Sequence, residues 1–321
     1  PPVNAINQKM REDLIDAVTW AESEGLERVI LSGMGPSFAA GADTKEFDQP
    51  AISPHLPDVV NRIETSTVPW IAAIHGTALG GGGELALGCR YRIARADATI
   101  GFPEVILGLV PGAGATQRLP RLVGLAEALK LIPTGKTISG KAAMTIGLVN
   151  AIDDDPVAAA KLIDEKILRE AVPLSLMKAG TDKTVNYDTA RQMAIRRMRG
   201  QEAPLTAISL LETAQTATFD DGMQKERNAF LTLRASTQAR ALRHIFFAER
   251  AAKKPPKAIE TQKSTLKPLN HVIVIGGGTM GSGIAYAFLN ANIRVTILES
   301  DDAGMQRANT AIDTIISASL D

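Results

Sequence analysis

Apolar residues follow two kinds of pattern over the first 75 residues, and each kind predicts a different element. Helical spacing predicts a helix that ends at Gly25, with apolar positions Met10, Leu14, Ala17, Val18 and Ala21. The short apolar run at residues 29–31 then has the length of a buried strand. The same pair of patterns returns as a helix over 56–65 and a strand over 70–74. This alternation predicts an α/β domain.

Beyond Asp155 the apolar spacing is helical for about a hundred residues, and no run there predicts a strand. The predicted helices are residues 157–167, 190–198, 208–217 and 220–252. The stretch KKPPKAIETQKSTLKP, residues 253–268, is basic, contains prolines and lacks periodicity, so it predicts a linker. We therefore expect a second domain after it.

The second domain opens with a pattern typical of a nucleotide-binding βαβ unit. The apolar run HVIVI is followed by GGGTMG, which contains Gly276, Gly278 and Gly281. A helix to residue 289, a strand over 294–298 and a helix over 303–317 are predicted next. Glu299 ends the second strand, 23 residues after Gly276, where a carboxylate can accept hydrogen bonds from a ribose diol. A lone G-x-G-x-x-G is weak evidence, but this context predicts NAD binding.

Composition limits the classes of function that fit the chain. Its 321 residues favour two domains. With 45% hydrophobic residues, 22% charged residues and no formal net charge, nothing indicates nucleic-acid binding, and no apolar stretch reaches the roughly 20 residues of a membrane helix. Neither the single Cys89 nor the four histidines have metal-ligand spacing. We expect a soluble, non-secreted protein without a metal, in a reducing compartment.

A glycine run that ends in a carboxylate is the segment richest in chemistry. Residues 80–83 are glycines and lead into a predicted helix with Glu84 in its first turn, and Glu104 follows twenty residues later behind a proline. Backbone N–H groups exposed by such a run can hold a developing oxyanion, helped by the helix dipole. Partial desolvation beside Phe102 would raise the pKa of Glu104. The pair predicts proton-transfer chemistry at an acyl carbonyl.

Each of these features also has a purely structural explanation. Glu84 can simply complement the helix dipole, and Glu104 can be a surface residue in a turn. The loop SFAAGAD, residues 37–43, can be a plain turn in which Gly41 takes a positive φ and Asp43 caps the next helix. If an amide near Ala40 converged with one of the glycine run, the two would form an oxyanion hole. The sequence alone leaves that convergence open.

Three successive segments carry a resemblance to a known family. SFAAGAD, ALGGGGELALGCRYRIA and GFPEVILGLVPGAGATQRLPRLVG resemble the enoyl-CoA hydratase (crotonase) family in order and separation. With FFAERAAKKPP and the dinucleotide motif, the chain resembles bifunctional enoyl-CoA hydratase and 3-hydroxyacyl-CoA dehydrogenase proteins of fatty acid β-oxidation. The implied α/β architecture is a crotonase-like spiral domain over 1–185, a helical extension over 186–252, a linker over 253–270 and a partial Rossmann domain over 271–321.

The resemblance implies a role for each candidate residue. Glu84 matches the glutamate that activates water, and Glu104 matches the one that exchanges the proton at the α-carbon. Ala40 and Gly81 match the two oxyanion-hole amides. The implied reaction is syn hydration of a trans-2-enoyl-CoA to a 3-hydroxyacyl-CoA, with coenzyme A as part of the substrate and NAD as the cofactor of the dehydrogenase part. A thiolase partner and a cytoplasmic location, or a peroxisomal one in a eukaryote, are also implied.

Two alternatives stay open at this point. An enoyl-CoA isomerase would use the same site with a single proton-shuttling carboxylate, so the presence of both Glu84 and Glu104 favours a hydratase. A non-catalytic module that binds acyl-CoA or assists assembly would have no need of the pair. Assaying a 3-enoyl-CoA against a 2-enoyl-CoA separates the isomerase from the hydratase, and an absorbance assay for loss of the enoyl thioester tests the non-catalytic module.

The chain departs from the dehydrogenase pattern at its end. The catalytic His and Glu of that family lie beyond the last residue, and His271, at the start of a strand, is interpreted as structural. Two strands and two helices bury little surface, so we expect weak NAD binding and no dehydrogenation by this chain. The family's first strand is also missing before residue 1. Both ends therefore indicate a fragment.

Overall fold

The computed structural model describes residues 3–47, 49–180, 185–253 and 268–320. The chain divides into two compact units, residues 1–251 and 252–321. Most of the predicted linker, residues 254–267, lies outside the described residues. Within the described ranges, no helix combines the length and the apolar character that crossing a bilayer would need.

The first unit is an assembly of short strands and helices. Its strands are β1 (Val29–Ser32), β2 (Trp70–Ile74), β3 (Thr77–Leu79), β4 (Tyr91–Ala94), β5 (Thr99–Gly101), β6 (Thr137–Ser139) and β7 (Ala151–Ile152). Its helices are α1 (Gln8–Ser23), α2 (Leu56–Glu64), α3 (Gly81–Gly88), α4 (Ala115–Val123), α5 (Leu125–Leu131), α6 (Gly140–Thr145), α7 (Pro156–Lys161), α8 (Glu165–Glu170), α9 (Tyr187–Arg197), α10 (Ala203–Thr216), α11 (Phe219–Ala235) and α12 (Thr237–Ala252). Short 3₁₀ helices are Thr44–Glu46, Pro103–Leu107 and Leu174–Leu176. The alternation predicted for the first 75 residues is confirmed by α1, β1, α2 and β2.

Two sheets organise the strands of the first unit. The larger is parallel, in the order β1-β2-β4-β7, and every residue of β2 is buried, as expected for a central parallel strand. The smaller has the order β3-β5-β6, with β5 and β6 antiparallel. A bridge between Ala39 and Ala78 joins the SFAAGAD loop to β3. The loop is thereby held next to the glycine run that follows β3.

Two of the predicted helices are each broken by a capping side chain. The stretch 220–252 is two helices, because Ser236 is extended (φ −69°, ψ 149°) and its Oγ accepts a hydrogen bond from Ala239 N at 3.0 Å. The stretch 157–167 is broken in the same way by Asp164, whose Oδ1 accepts from Lys166 N at 2.7 Å. The single-helix predictions were wrong here, since apolar spacing continues across a cap while the backbone does not.

Helices α10 and α11 pack directly on α4. The buried face of α10 includes Ala207, Ile208 and Leu211, which are fully enclosed. Gly222 of α11 approaches α4 so closely that a Cβ there would lie 2.1 Å from Gln117 Oε1. Helices α10 and α11 therefore cover the N-terminal end of α4.

The second unit is a βαβ arrangement with one more helix. Its elements are β8 (His271–Ile275), α13 (Thr279–Asn290), β9 (Arg294–Leu298) and α14 (Asp302–Leu320). The two strands pair in parallel, and Val274, Ala285 and Ile312 form the core. His271 Nε2 lies 2.8 Å from Thr296 Oγ1 across the strand pair, in line with a structural role. The predicted βαβ opening is confirmed.

Candidate active site

The glycine run places the backbone of α3 in contact with its surroundings. Gly80 precedes the helix at φ +53°, and all residues of α3 are buried. A Cβ on Gly82 would lie 2.2 Å from Ala39 O, and one on Gly83 would lie 2.8 Å from the Phe102 ring. These two glycines are thus explained by packing inside the protein, and not by the approach of a ligand that the sequence suggested.

Glu84 lies in the first turn of α3 with its side chain almost fully buried. Its Oε1 accepts hydrogen bonds from Ala113 N at 2.7 Å and from Ala115 N at 3.2 Å. Burial raises the pKa of this carboxyl, and the two amides act in the opposite direction. Its Oε2 accepts no hydrogen bond from the described residues. One oxygen of Glu84 is therefore anchored by backbone amides and the other is not.

Glu104 stands in the 3₁₀ helix Pro103–Leu107 and turns its carboxyl toward the glycine run. A Cβ on Gly80 would lie only 2.8 Å from Glu104 Oε1, and Oε2 is buried with no hydrogen-bond partner among the described residues. Burial first, then the neighbouring Glu84 and Glu226, raises the pKa of Glu104 well above 4.5. An unpaired buried carboxyl oxygen is costly, which is typical of a functional site.

The amide of Ala40 is already occupied. Ala40 N donates to Val3 O at 3.0 Å, so it cannot also serve as the predicted oxyanion donor. The amides of Ala42 and Gly81, in contrast, have no acceptor within the described ranges, and a Cβ on Gly81 would lie 3.5 Å from Ala42 N. Ala42 replaces Ala40 as the candidate beside Gly81. The sequence could not distinguish Ala40 from Ala42, because it does not show which way each backbone N–H points.

A third buried carboxylate, Glu226, lies near the pair and was missed from the sequence. It comes from α11, is fully buried, and accepts hydrogen bonds from the turn that precedes α4. Burial and the neighbouring Glu84 raise its pKa to about 8. No local motif marks it. Across the described residues, no group of three or more His, Cys, Asp or Glu side chains is arranged to hold a metal.

A cavity opens beside the free amides of the loop and the glycine run. Its lining includes Ala42 and Leu56, and a Cβ on Gly81 would lie 2.7 Å from Leu56 Cδ2. The lining side chains include aromatic, aliphatic, basic and acidic groups, among them Phe47, Ile52, Phe230, Arg227, Arg234 and the ion pair of Arg11 with Glu46. Apolar and cationic groups therefore share one concave surface next to Ala42.

The glycines of the second unit form a tight turn between β8 and α13. Gly276 (φ +86°) donates its amide to Leu298 O at 2.8 Å, and a Cβ on Gly281 would lie 1.8 Å from Gly276 O. Gly278 has open space where a side chain would be. Glu299 Oε1 accepts from Gly277 N at 2.6 Å, which brings the carboxylate to the turn at the start of α13. The four predicted residues thus lie together.

Comparison with known proteins decides the family. Residues 1–240 match the family model described as "Enoyl-CoA hydratase/isomerase". The chain belongs to the enoyl-CoA hydratase/isomerase family. Residues 271–320 match "3-hydroxyacyl-CoA dehydrogenase, NAD binding domain", so the start of such a domain follows the hydratase/isomerase part. The resemblance noted from the three sequence segments and the dinucleotide motif is confirmed.

Relatives of this enoyl-CoA hydratase/isomerase family member include longer proteins. The "Peroxisomal bifunctional enzyme" of Cavia porcellus is 38% identical over 98% of this chain, and that of Homo sapiens is 36% identical over 98%; the chain spans 45% of each. A crystal structure of an enoyl-CoA hydratase/isomerase from Pseudoalteromonas atlantica matches 76% of this chain and 88% of its own, at 24% identity and a TM-score of 0.54. That likeness confirms the predicted crotonase-like fold.

Glu104→Gln is expected to raise the Tm of this family member, and to raise it more at high pH than at low pH. Because the folded-state pKa of Glu104 is raised, the favourable contribution of its neutral form is complete below about pH 4.5 and is lost as the pH rises through the folded-state pKa. Glu104→Gln removes that loss, so Tm should exceed the unmodified protein's by about 2–4 °C at pH 8 and by less at pH 5. Thermal unfolding at both pH values tests this, and an equal or lower Tm at pH 8 would contradict it.

Proposed function

We propose that the first unit is an enoyl-CoA hydratase of fatty acid β-oxidation, the front part of a bifunctional hydratase and 3-hydroxyacyl-CoA dehydrogenase. The observation that carries the proposal is the pairing of two buried carboxyls, Glu84 and Glu104, around Gly80, beside the unoccupied amides of Ala42 and Gly81. Family membership and the names of the longer relatives support the substrate class.

The proposed reaction divides the proton transfers between the two glutamates. Glu84 takes a proton from water through Oε2, and the water oxygen bonds to the β-carbon of a trans-2-enoyl-CoA. Electrons shift to the thioester oxygen, which the amides of Ala42 and Gly81 stabilise as it becomes enolate-like. Glu104 then gives its proton to the α-carbon, which regenerates the thioester carbonyl. The product is a 3-hydroxyacyl-CoA. Glu84 then releases its proton to solvent and Glu104 takes one up, which restores both carboxyls.

The raised pKa of Glu104 fits the role of proton donor. A carboxyl of ordinary pKa would be ionised at neutral pH and could not donate. Burial raises the pKa of both carboxyls, but the adjacent Glu84 adds to the rise at Glu104, whereas the amides of Ala113 and Ala115 oppose it at Glu84. Glu104 is therefore the better proton donor of the two.

The cavity beside Ala42 supports binding of an acyl-CoA thioester. Its apolar lining, including Leu56 and Phe230, suits an acyl chain, and its arginines suit anionic groups. The thioester carbonyl would then lie at the cavity edge nearest to Gly81.

An isomerase is the second candidate, because the partnerless oxygen of Glu104 can shuttle a proton between the α- and γ-carbons of an enoyl-CoA. Parallel assays with crotonyl-CoA and a 3-enoyl-CoA separate the possibilities. We expect crotonyl-CoA to lose its enoyl-thioester absorbance rapidly. Conversion of only the 3-enoyl-CoA would favour the isomerase, and no conversion of either would favour a binding or assembly module.

For the second unit we propose the beginning of an NAD site. Gly276, Gly278 and Gly281 would approach the pyrophosphate and Glu299 the ribose, since the turn is open at Gly278 and lies at the start of α13. The Gly277 amide competes for the Glu299 carboxylate. Thiolase association, and a cytoplasmic or, in a eukaryote, peroxisomal location, are further proposals, the last in keeping with the relatives' names.

This chain is not expected to oxidise 3-hydroxybutyryl-CoA with NAD. The second unit pairs only β8 with β9 among the described strands, and the sequence offers no His and Glu after them for the dehydrogenase role. Formation of NADH, followed by absorbance, should stay at the level of a blank without protein. A rate well above the blank would contradict the proposal.

A further inference from the structure

Glu226 of α11 reaches across to the turn that starts α4. Its side chain has no solvent exposure. Oε1 accepts from Gly114 N at 2.6 Å, and Oε2 accepts from Thr116 N at 2.8 Å and from Thr116 Oγ1 at 2.6 Å. Gly114 lies 112 residues from Glu226 in the sequence. A carboxyl group from a distant helix therefore binds this turn through three hydrogen bonds.

The same turn binds Glu84. Ala113 N and Ala115 N donate to Glu84 Oε1, so the amides of residues 113–116 alternate between the two glutamates. Helix N-termini are ordinarily capped by a nearby Ser, Thr, Asp or Asn, but the residue before α4 is Gly114, which has no side chain. Glu84 and Glu226, which belong to other helices, together cap α4. Loss of either glutamate leaves amides unpaired next to the amides that hold the other glutamate.

The turn has little freedom to rearrange around one glutamate alone. Gly114 has φ +107°, and a Cβ there would lie 1.9 Å from Arg118 Nη1. Arg118 Nη1 also donates to Ala113 O at 3.0 Å, and Arg118 is completely buried. Such close packing transmits a displacement at Gly114 to its neighbours. The position of Glu84 Oε1 thus depends on contacts made by α11.

We propose that Glu226 is a positioning residue for Glu84. It fixes the amides of residues 113–116 so that Glu84 Oε1 stays anchored and Oε2 faces the water to be activated. The inference rests on the proposed hydratase function and extends it: the helical region after residue 186 becomes part of the catalytic machinery instead of a cover for it. Glu226 acts through Glu84 and does not touch the reacting atoms.

Glu226→Gln in the full chain tests the proposal. The glutamine keeps the shape, but its NH₂ group cannot accept from Gly114 or Thr116, so one side of the turn is released. We expect kcat for crotonyl-CoA to fall about 10- to 100-fold, with KM within about twofold because the oxyanion amides and the cavity are untouched. The matched control is Glu212→Gln in α10, which breaks the ion pair with Arg191 and should leave kcat within about twofold.

A second variant covers the case in which Glu226→Gln does not fold. Thr116→Val removes the hydroxyl that donates to Glu226 and accepts from Gln117 Nε2, which keeps Leu210 O as an acceptor. It should lower kcat about three- to tenfold, again without raising KM. The positioning role would be overturned if the unmodified chain is active and a folded Glu226→Gln or Thr116→Val variant keeps full kcat or changes only KM. An inactive unmodified chain would instead overturn the hydratase function on which it rests.

Discussion

Glu104→Gln is expected to lower kcat for the hydration of crotonyl-CoA by about 10³-fold, with little change in KM. Glutamine preserves the volume beside Gly80 but cannot give a proton to the α-carbon. The thioester would still be held by the amides of Ala42 and Gly81, so binding should survive. Initial rates over a range of crotonyl-CoA concentrations, together with Tm, measure both effects.

The matched control for this change is Glu127→Gln. Glu127 is a helix glutamate at the surface, ion-paired with Lys130 three residues later, and its neutralisation should leave kcat unchanged. Since Glu104→Gln is also expected to raise Tm at pH 8, loss of activity cannot then be ascribed to unfolding. A Glu104→Gln protein with a kcat within about twofold of the original would refute the role of proton donor.

Replacing the Ala42 peptide N–H by an ester oxygen is expected to lower kcat by about 10²- to 10³-fold, the loss that follows removal of one oxyanion-hole donor. Incorporation of lactate at position 42 during cell-free translation makes this change without altering the side chain. The remaining donor, Gly81 N, would hold the thioester oxygen alone. Crotonyl-CoA turnover, measured as for Glu104→Gln, gives the size of the effect.

The same ester at position 40 is a close control. Each ester weakens the preceding carbonyl as an acceptor, and each of those carbonyls accepts one hydrogen bond: Gly41 O from Ile6 N at 2.9 Å, and Ala39 O from Leu79 N at 3.0 Å. The ester at 40 should cost some stability through the lost bond to Val3, with kcat preserved. A large loss of kcat at position 40 and none at 42 would restore Ala40 as the donor.

The candidate pair could be predicted from sequence because both glutamates lie in short, unusual local patterns. A glycine run before Glu84 and a proline before Glu104 fix the local backbone, and local backbone is what sequence patterns report best. Because sequence patterns report only local backbone, they could not show whether the amide of Ala40 or that of Ala42 is free. Two residues apart on one loop, they differ only in what their amides meet, and the partner of Ala40 is the distant Val3.

Glu226 shows a second limit. Its neighbours in the sequence form an ordinary polar helix, and what distinguishes it is contact with residues 113–116, formed only when α11 packs on α4. Hydrophobic spacing located the helical region itself but not its interruption at Ser236. Elements with strong local patterns were therefore predictable, whereas groups defined by tertiary contact required the structure.

The placement of Glu104 is unfavourable for the stability of the folded state. A buried carboxyl with an oxygen that lacks a partner, next to Glu84 and Glu226, is unfavourable, and glutamine in its place should be better tolerated by the folded state. The expected opposition between a higher Tm and a lower kcat in Glu104→Gln follows from this arrangement.

Isotope labelling during turnover tests the assignment of Glu84 and Glu104 most directly. The chain is incubated with crotonyl-CoA in ²H₂O enriched in ¹⁸O, and the products are analysed by mass spectrometry and NMR. The expected product is 3-hydroxybutyryl-CoA with ¹⁸O on the β-carbon and one deuterium on the α-carbon, added on the same face, and Glu104→Gln should form it about 10³-fold more slowly. Deuterium at the γ-carbon without ¹⁸O, or unlabelled crotonyl-CoA recovered intact, would contradict this assignment.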